Sequence, residues 1–258
     1  MLVRDEIPMD RLRSASVTAG VLFIVATVTS LAGSALSSPV LDRTLYLARL
    51  SDDATRVDAG LLLQLIAAGA SVGIALAMYP VLRAWGRGFS LGSVVFRAIE
   101  AVLYIVAIVC VLAVVGVGQR FTGADATHRA TFLVVSGSLL DFRDQANLVA
   151  VMAFSVGALM YYWLLYRSQL VPRWLSGWGI LAIILMFVAC LLALFGHHPV
   201  TTYALLALPI AVQEIVLAVW LLTRGFRLRD GTATGSTGGR ARIGATPAPS
   251  AVASRLPP

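Results

Sequence analysis

Residues 91–118 read LGSVVFRAIEAVLYIVAIVCVLAVVGVG, an apolar run in which Arg97 and Glu100 are the only ionised side chains. A hydrocarbon core of ~30 Å is crossed by about 20 helical residues rising about 1.5 Å each, so the run is long enough to span a bilayer. Five more runs of this kind lie at Ser14 to Leu36, Val57 to Leu82, Gln145 to Tyr166, Ser176 to Gly196 and Thr202 to Thr223. The chain is 59% hydrophobic and 13% charged over 258 residues, with a mean hydropathy of +0.85. That composition excludes an ordinary soluble domain. It predicts an all-α fold: a polytopic membrane protein built as a bundle of six transmembrane helices over residues 14–223.

The spans are separated by breakers and polar turns. Pro39 follows the first, Arg83-Ala-Trp-Gly-Arg-Gly the second, residues 167–174 the fourth, and His197-His198-Pro199 the fifth. Six crossings put both termini on one side. Residues 1–13, 83–90, 167–175 and 224–229 carry ten arginines, against six in the longer total of 37–56, 119–144 and 197–201. The positive-inside rule therefore predicts cytoplasmic termini in a cell (inner or plasma) membrane. Residues 1–13 form a short cytoplasmic segment. The chain from 224 begins basic and turns, after Arg229, into a Gly/Ala/Ser/Thr/Pro-rich stretch that buries too little surface to offset its ordering entropy, so 230–258 is expected as a disordered cytoplasmic tail. Arg11 and Arg13 before an apolar core, with LAGSA at 31–35, also fit a cleavable signal peptide. The apolar stretch is longer than the usual ~7–15 residues of such a peptide, which favours a retained first helix.

Both loops on the far side contain apolar pieces too short to cross. One places Leu41, Leu45 and Ala48 at helical spacing; the other runs from Phe132 to Leu140. Each is expected as an interfacial helix that caps the bundle or lies as a lid over an outward cavity.

All 20 basic residues are arginine, the codon signature of a GC-rich bacterial genome. The sequence pI of about 10.1 is explained by loop and helix-end arginines without a basic, aromatic-studded face for nucleic acid. Cys110 and Cys190 lie in apolar spans and act as small hydrophobes. His128, His197 and His198 belong to the far-side loops, so neither a haem pair nor a metal-ligand spacing is present, and no cofactor is expected. Membrane lipid is the one partner the composition demands; the oligomeric state is open.

The candidate site is the set of charges inside the spans. Glu100 lies nine residues from the Leu91 end and Glu214 nine from the Thr223 end, so both sit roughly 13 Å below the same boundary. Arg97 shares a face with Glu100, and Tyr104 lies a turn beyond it. A cluster of Arg97, Glu100 and Glu214 bridging neighbouring third and sixth helices is expected, since a lone buried charge costs several kcal/mol. Gln64 and Gln213 are accessory candidates, Gln213 as a hydrogen-bond partner for Glu214. Pro80 and Pro209 free backbone carbonyls one turn earlier and permit kinks. Trp85, Tyr161, Tyr162, Tyr166, Trp174 and Trp178 are expected as an interfacial aromatic belt.

Four stretches carry a resemblance over residues 11–229: RLRSASVTAGVLFI at 11–24, FRAIEAVL at 96–103, LYRSQLVPRWL at 165–175 and EIVLAVWLLTRG at 214–225. With them the chain resembles a bacterial family of six-helix membrane proteins known as domain of unknown function 4386. The resemblance implies the topology and that the positions of Arg97, Glu100 and Glu214 belong to the family's pattern. It implies no activity. The fourth span, with Met160-Tyr161-Tyr162-Trp163 before its exit, departs from a glycine-richer family form.

Three functional classes follow. Two carboxylates facing one guanidinium leave an odd charge, so the cluster either organises the bundle or senses or moves a proton, cation or small solute. The alternatives are a membrane-embedded enzyme acting on a lipid, with Glu100 or Glu214 as general acid or base, and a purely structural or partner-binding membrane protein. Opening of the cluster to lipid or to an aqueous cavity separates them.

Overall fold

The computed structural model describes residues 9–41, 46–121 and 123–227. The tail at 230–258 and residues 42–45 of the first far-side loop lie outside the described residues; of the short apolar piece expected in that loop, Leu41 ends the first helix and Ala48 lies in the first turn of the second, so these two do not belong to a separate interfacial helix. Every described helix belongs to the unit Met1–Arg227. The fold is all-α. Helix α1 is Met9–Leu41, α2 Tyr46–Leu82, α3 Arg87–Phe121, α4 Ala126–Ser168, α5 Arg173–Gly196 and α6 Ala204–Thr223, the last entered by a short 3-10 turn at Val200–Tyr203. All six are long and apolar enough to cross a membrane.

The helices form a closed ring in chain order. Each packs on its sequence neighbours, and α6 returns to pack on α1. Helices α3 and α6 therefore stand across the ring from each other and do not pack together, which corrects the expectation that they are neighbours. The ring is locked at its arginine-richer end: Arg13 Nη2 donates to the Leu222 carbonyl at 3.1 Å, satisfying a C-terminal acceptor of α6, and the Arg227 N–H donates to Leu170 O at 2.7 Å. A core of Phe23, Ile74, Tyr161, Tyr162, Leu175 and Leu217, with others, fills that half. A second core at the opposite end joins Val40, Leu47, Leu50, Val57, Ile108 and Val111 to Leu139 and Leu140.

The run 132–140 is not a separate interfacial helix. It is the N-terminal part of α4, which is continuous from Ala126 because the charged stretch Asp141-Phe142-Arg143-Asp144-Gln145 contains neither Gly nor Pro to break it. The helix starts where Asp125 caps it, accepting from the His128 N–H at 2.9 Å. It ends at Gln169, in left-handed conformation with φ 59° and its N–H on Leu165 O. His197 ends α5 in the same way with φ 54°, which accounts for the polar turn at His197-His198.

Tyr161 and Tyr162 are also misplaced by the belt expectation: both rings are buried in the core, 4.4 Å apart between centroids. Gly179 makes room for them on α5, since a Cβ there would lie 2.5 Å from the Tyr162 ring. Tyr166 and Trp174 are exposed at the arginine-richer end, as a belt requires, whereas Trp85 and Trp178 are partly buried.

Candidate functional site

The ring encloses a cavity of about 500 Å³. It runs from Arg97 and Ile74 to Val111 and Leu61, about 20 Å at 1.5 Å per residue. Its deep end lies in the arginine-richer half. Its other end is bordered by Leu41, Leu61, Arg143 and Thr201, where α1 ends, α2 and α4 enter and the turn before α6 begins.

Arg97 forms the floor. Its Nη1 donates to Glu100 Oε2 at 3.1 Å, to Glu100 Oε1 at 3.4 Å and to Ser71 Oγ at 2.9 Å; Nη2 donates to the Tyr161 hydroxyl at 3.2 Å. Ser71 closes a small circuit by donating to Glu100 Oε2 at 3.0 Å. The guanidinium lies over the Phe154 ring at 4.4 Å, a cation–π contact that offsets part of its desolvation. Arg97 is 2% exposed and Glu100 4%, so this is a desolvated pair, stable only because each partner satisfies the other. Arg97 Nε makes no hydrogen bond among the described residues.

Glu214 arrives from across the ring. Its Oε1 lies 3.7 Å from Arg97 Nη2, an ion-pair distance beyond hydrogen-bond length, and its side chain is 15% exposed, lining the cavity. The expected cluster of Arg97, Glu100 and Glu214 is thus assembled, though by the reach of a long guanidinium and not by packing of α3 on α6. The two carboxylates differ: Glu100 is engaged, Glu214 faces the space. The lining charges Arg143 and Asp144 pair with each other at 2.7 Å.

The accessory residues divide. Gln64 lines the cavity and donates to Ser37 Oγ at 3.1 Å. Tyr104 lines it too, one turn above Glu100. Gln213 does not serve Glu214, because neighbours in a helix point about 100° apart. It turns into the core, where it accepts from the Tyr162 hydroxyl and donates to the Leu175 carbonyl at 3.1 Å, tying α4, α5 and α6 together. Ser71, Phe154 and Tyr161 contact the guanidinium and were not expected from the sequence. Among the described residues no group of three His, Cys, Asp or Glu side chains could hold a metal ion.

A family model described as Domain of unknown function (DUF4386) matches residues 18–225. No curated protein and no solved structure matches the chain.

Proposed function

We propose that this chain, which belongs to the family of domain of unknown function 4386, is a multi-pass protein of the cytoplasmic membrane that takes a proton, cation or small solute into its central cavity and holds it at Glu214. What carries the reading is the charge balance of the cavity wall. Arg97 is matched by Glu100 and Arg143 by Asp144, so an ionised Glu214 is one negative charge in excess, in a space that a proton or a cation can enter. A lipid-acting enzyme would use the same carboxylate as a general base. The binding reading is preferred because Glu100 and Asp144, the other carboxylates of the lining, are each held in an ion pair.

Glu214→Gln keeps the volume and removes the charge and the exchangeable proton. In proteoliposomes under an imposed pH gradient, proton or cation flux is expected with the native protein and is expected to fall at least tenfold in the variant, with an unchanged melting temperature. Equal flux in both, or none in either, rules the transport role out.

The arginine bias supports a cytoplasmic position for both termini. Single cysteines at Gly88 and Ala124, in a background lacking Cys110 and Cys190, should label from opposite faces, Gly88 from inside and Ala124 from outside. A cysteine at Ser236 should follow Gly88. Labelling of Ser236 from outside reverses the orientation.

A further inference from the structure

We propose that the cavity is entered from the side, between α1 and α6, and that its ligand is a cationic amphiphile whose amine head meets Glu214 while its chain lies in the opening. The inference rests on the reading of Glu214 as the binding carboxylate and adds the ligand class and the route.

The geometry of α1 supports the opening. At the arginine-richer end α1 is pressed onto α6: a Cβ on Gly20 would lie 2.8 Å from Leu222 Cγ and 3.0 Å from the Ala218 carbonyl, and Arg13 bonds Leu222 O. Further along, the close partner of α1 is α2. Gly33 abuts Gly60, and Ser37 is bonded by Gln64. On this stretch the cavity is bordered by Ser30, Leu31, Ser34 and Ser38 of α1, all exposed, and across from them by Ala207 and Ala211 of α6, which carry too little side chain to fill the space.

Two features place the part of this border at Ser30, Leu31 and Ser34 within the hydrocarbon layer. Leu31 is 60% exposed yet lines the same cavity as Glu214. It also lies five residues inside the expected span end at Leu36, about 8 Å below the boundary at 1.5 Å per residue. Water does not favour an exposed leucine at that depth; an alkyl chain does. Ser30, Ser34 and Ser38 make a hydroxyl row beside it, and none of the three hydroxyls has a hydrogen-bond partner among the described residues. A polar row on one flank and a leucine at the edge give a path that is amphipathic along its length, ending at a surplus carboxylate. A molecule with a protonated amine and a single alkyl chain matches it from end to end, whereas an anionic headgroup would meet Glu214 with like charge.

The test uses the full chain in nanodiscs of zwitterionic lipid, with dodecylamine, dodecanol and methylamine as probes and affinity read by competition and native mass spectrometry. Dodecylamine is expected to bind, and dodecanol at least tenfold more weakly. Glu214→Gln should lower dodecylamine affinity at least tenfold. So should Ser34→Trp, which fills the opening with an indole at an exposed position, and Ser30→Trp serves as a second plug if the first lowers the melting temperature. Should both plugs leave dodecylamine affinity unchanged while Glu214→Gln reduces it, the lateral route fails and the reading of Glu214 stands. Equal binding of dodecanol and dodecylamine overturns the cationic class. No binding of either amine to the native protein removes this inference and the cation reading together.

Discussion

Replacing Arg97 by leucine is expected to destabilise the protein by about 3–5 kcal/mol, seen as loss of folded, detergent-extractable material and a large drop in melting temperature. The cost comes from what is left behind. Glu100, 4% exposed, keeps only the Ser71 hydroxyl at 3.0 Å, while the Tyr161 hydroxyl loses its donor and Phe154 its cation. Breaking a buried pair on one side is far more costly than removing both sides, because the unpaired charge retains its full desolvation penalty. Arg97→Leu combined with Glu100→Leu should therefore recover part of the loss, with Glu214 and the Tyr161 hydroxyl still lacking the guanidinium, a non-additivity that a double-mutant cycle measures directly. A destabilisation below about 1 kcal/mol in the single variant would mean that Glu100 carries no charge needing Arg97, and the floor of the cavity would then be a neutral hydrogen-bond circuit.

The six spans were legible because a bilayer imposes length and apolarity on each helix separately, and no partner is needed to read either. The charged residues were legible for the same reason: Arg97, Glu100 and Glu214 stand out in runs that otherwise exclude charge. Assembly was not. Depth counting placed Glu100 and Glu214 at one level but could not say that α3 and α6 face each other across a space, because that is fixed by the closure of α6 on α1 at Gly20 and Ala218. Ser71, Phe154 and Tyr161 escaped because serine and aromatic residues are ordinary in membrane helices; their role depends on which face of α2 and α4 turns inward. The belt expectation failed at Tyr161 and Tyr162 because nearness to a boundary in sequence does not decide between lipid and core, whereas the room beside Gly179 does. The continuity of α4 was missed because hydropathy falls at 141–145, whereas a helix is broken by Gly or Pro and the stretch holds neither.

Gly33→Leu is the substitution expected to disturb the bundle most without touching a charge. A Cβ at Gly33 would lie 2.6 Å from the Gly60 carbonyl oxygen and 2.9 Å from Gln64 Cγ, and a Cβ at Gly60 would lie 2.8 Å from the Gly33 carbonyl oxygen. The obstacle in each direction is backbone, which cannot rotate away, so α1 and α2 must separate. In lipid, where no hydrophobic effect drives helices together, van der Waals packing through small residues that allow close approach is one of the forces that associate them. Even Gly33→Ala is expected to cost about 1–3 kcal/mol as overpacking, and leucine more. The loss should be visible as a lowered melting temperature in micelles. Gly33→Ala and Gly60→Ala combined should cost less than their sum, because helices already parted by one methyl have room for the second. Gly69→Ala, on the same helix as Gly60 but with nothing within 4 Å of its added Cβ, is the control and should change stability by no more than about 1 kcal/mol. Because α1 also carries Ser30 and Ser34 along the cavity, moving it off α2 should weaken dodecylamine binding even in Gly33→Ala protein that remains folded. Stability lost with affinity retained would separate the α1–α2 contact from the shape of the opening, and would place the ligand's chain elsewhere in the ring.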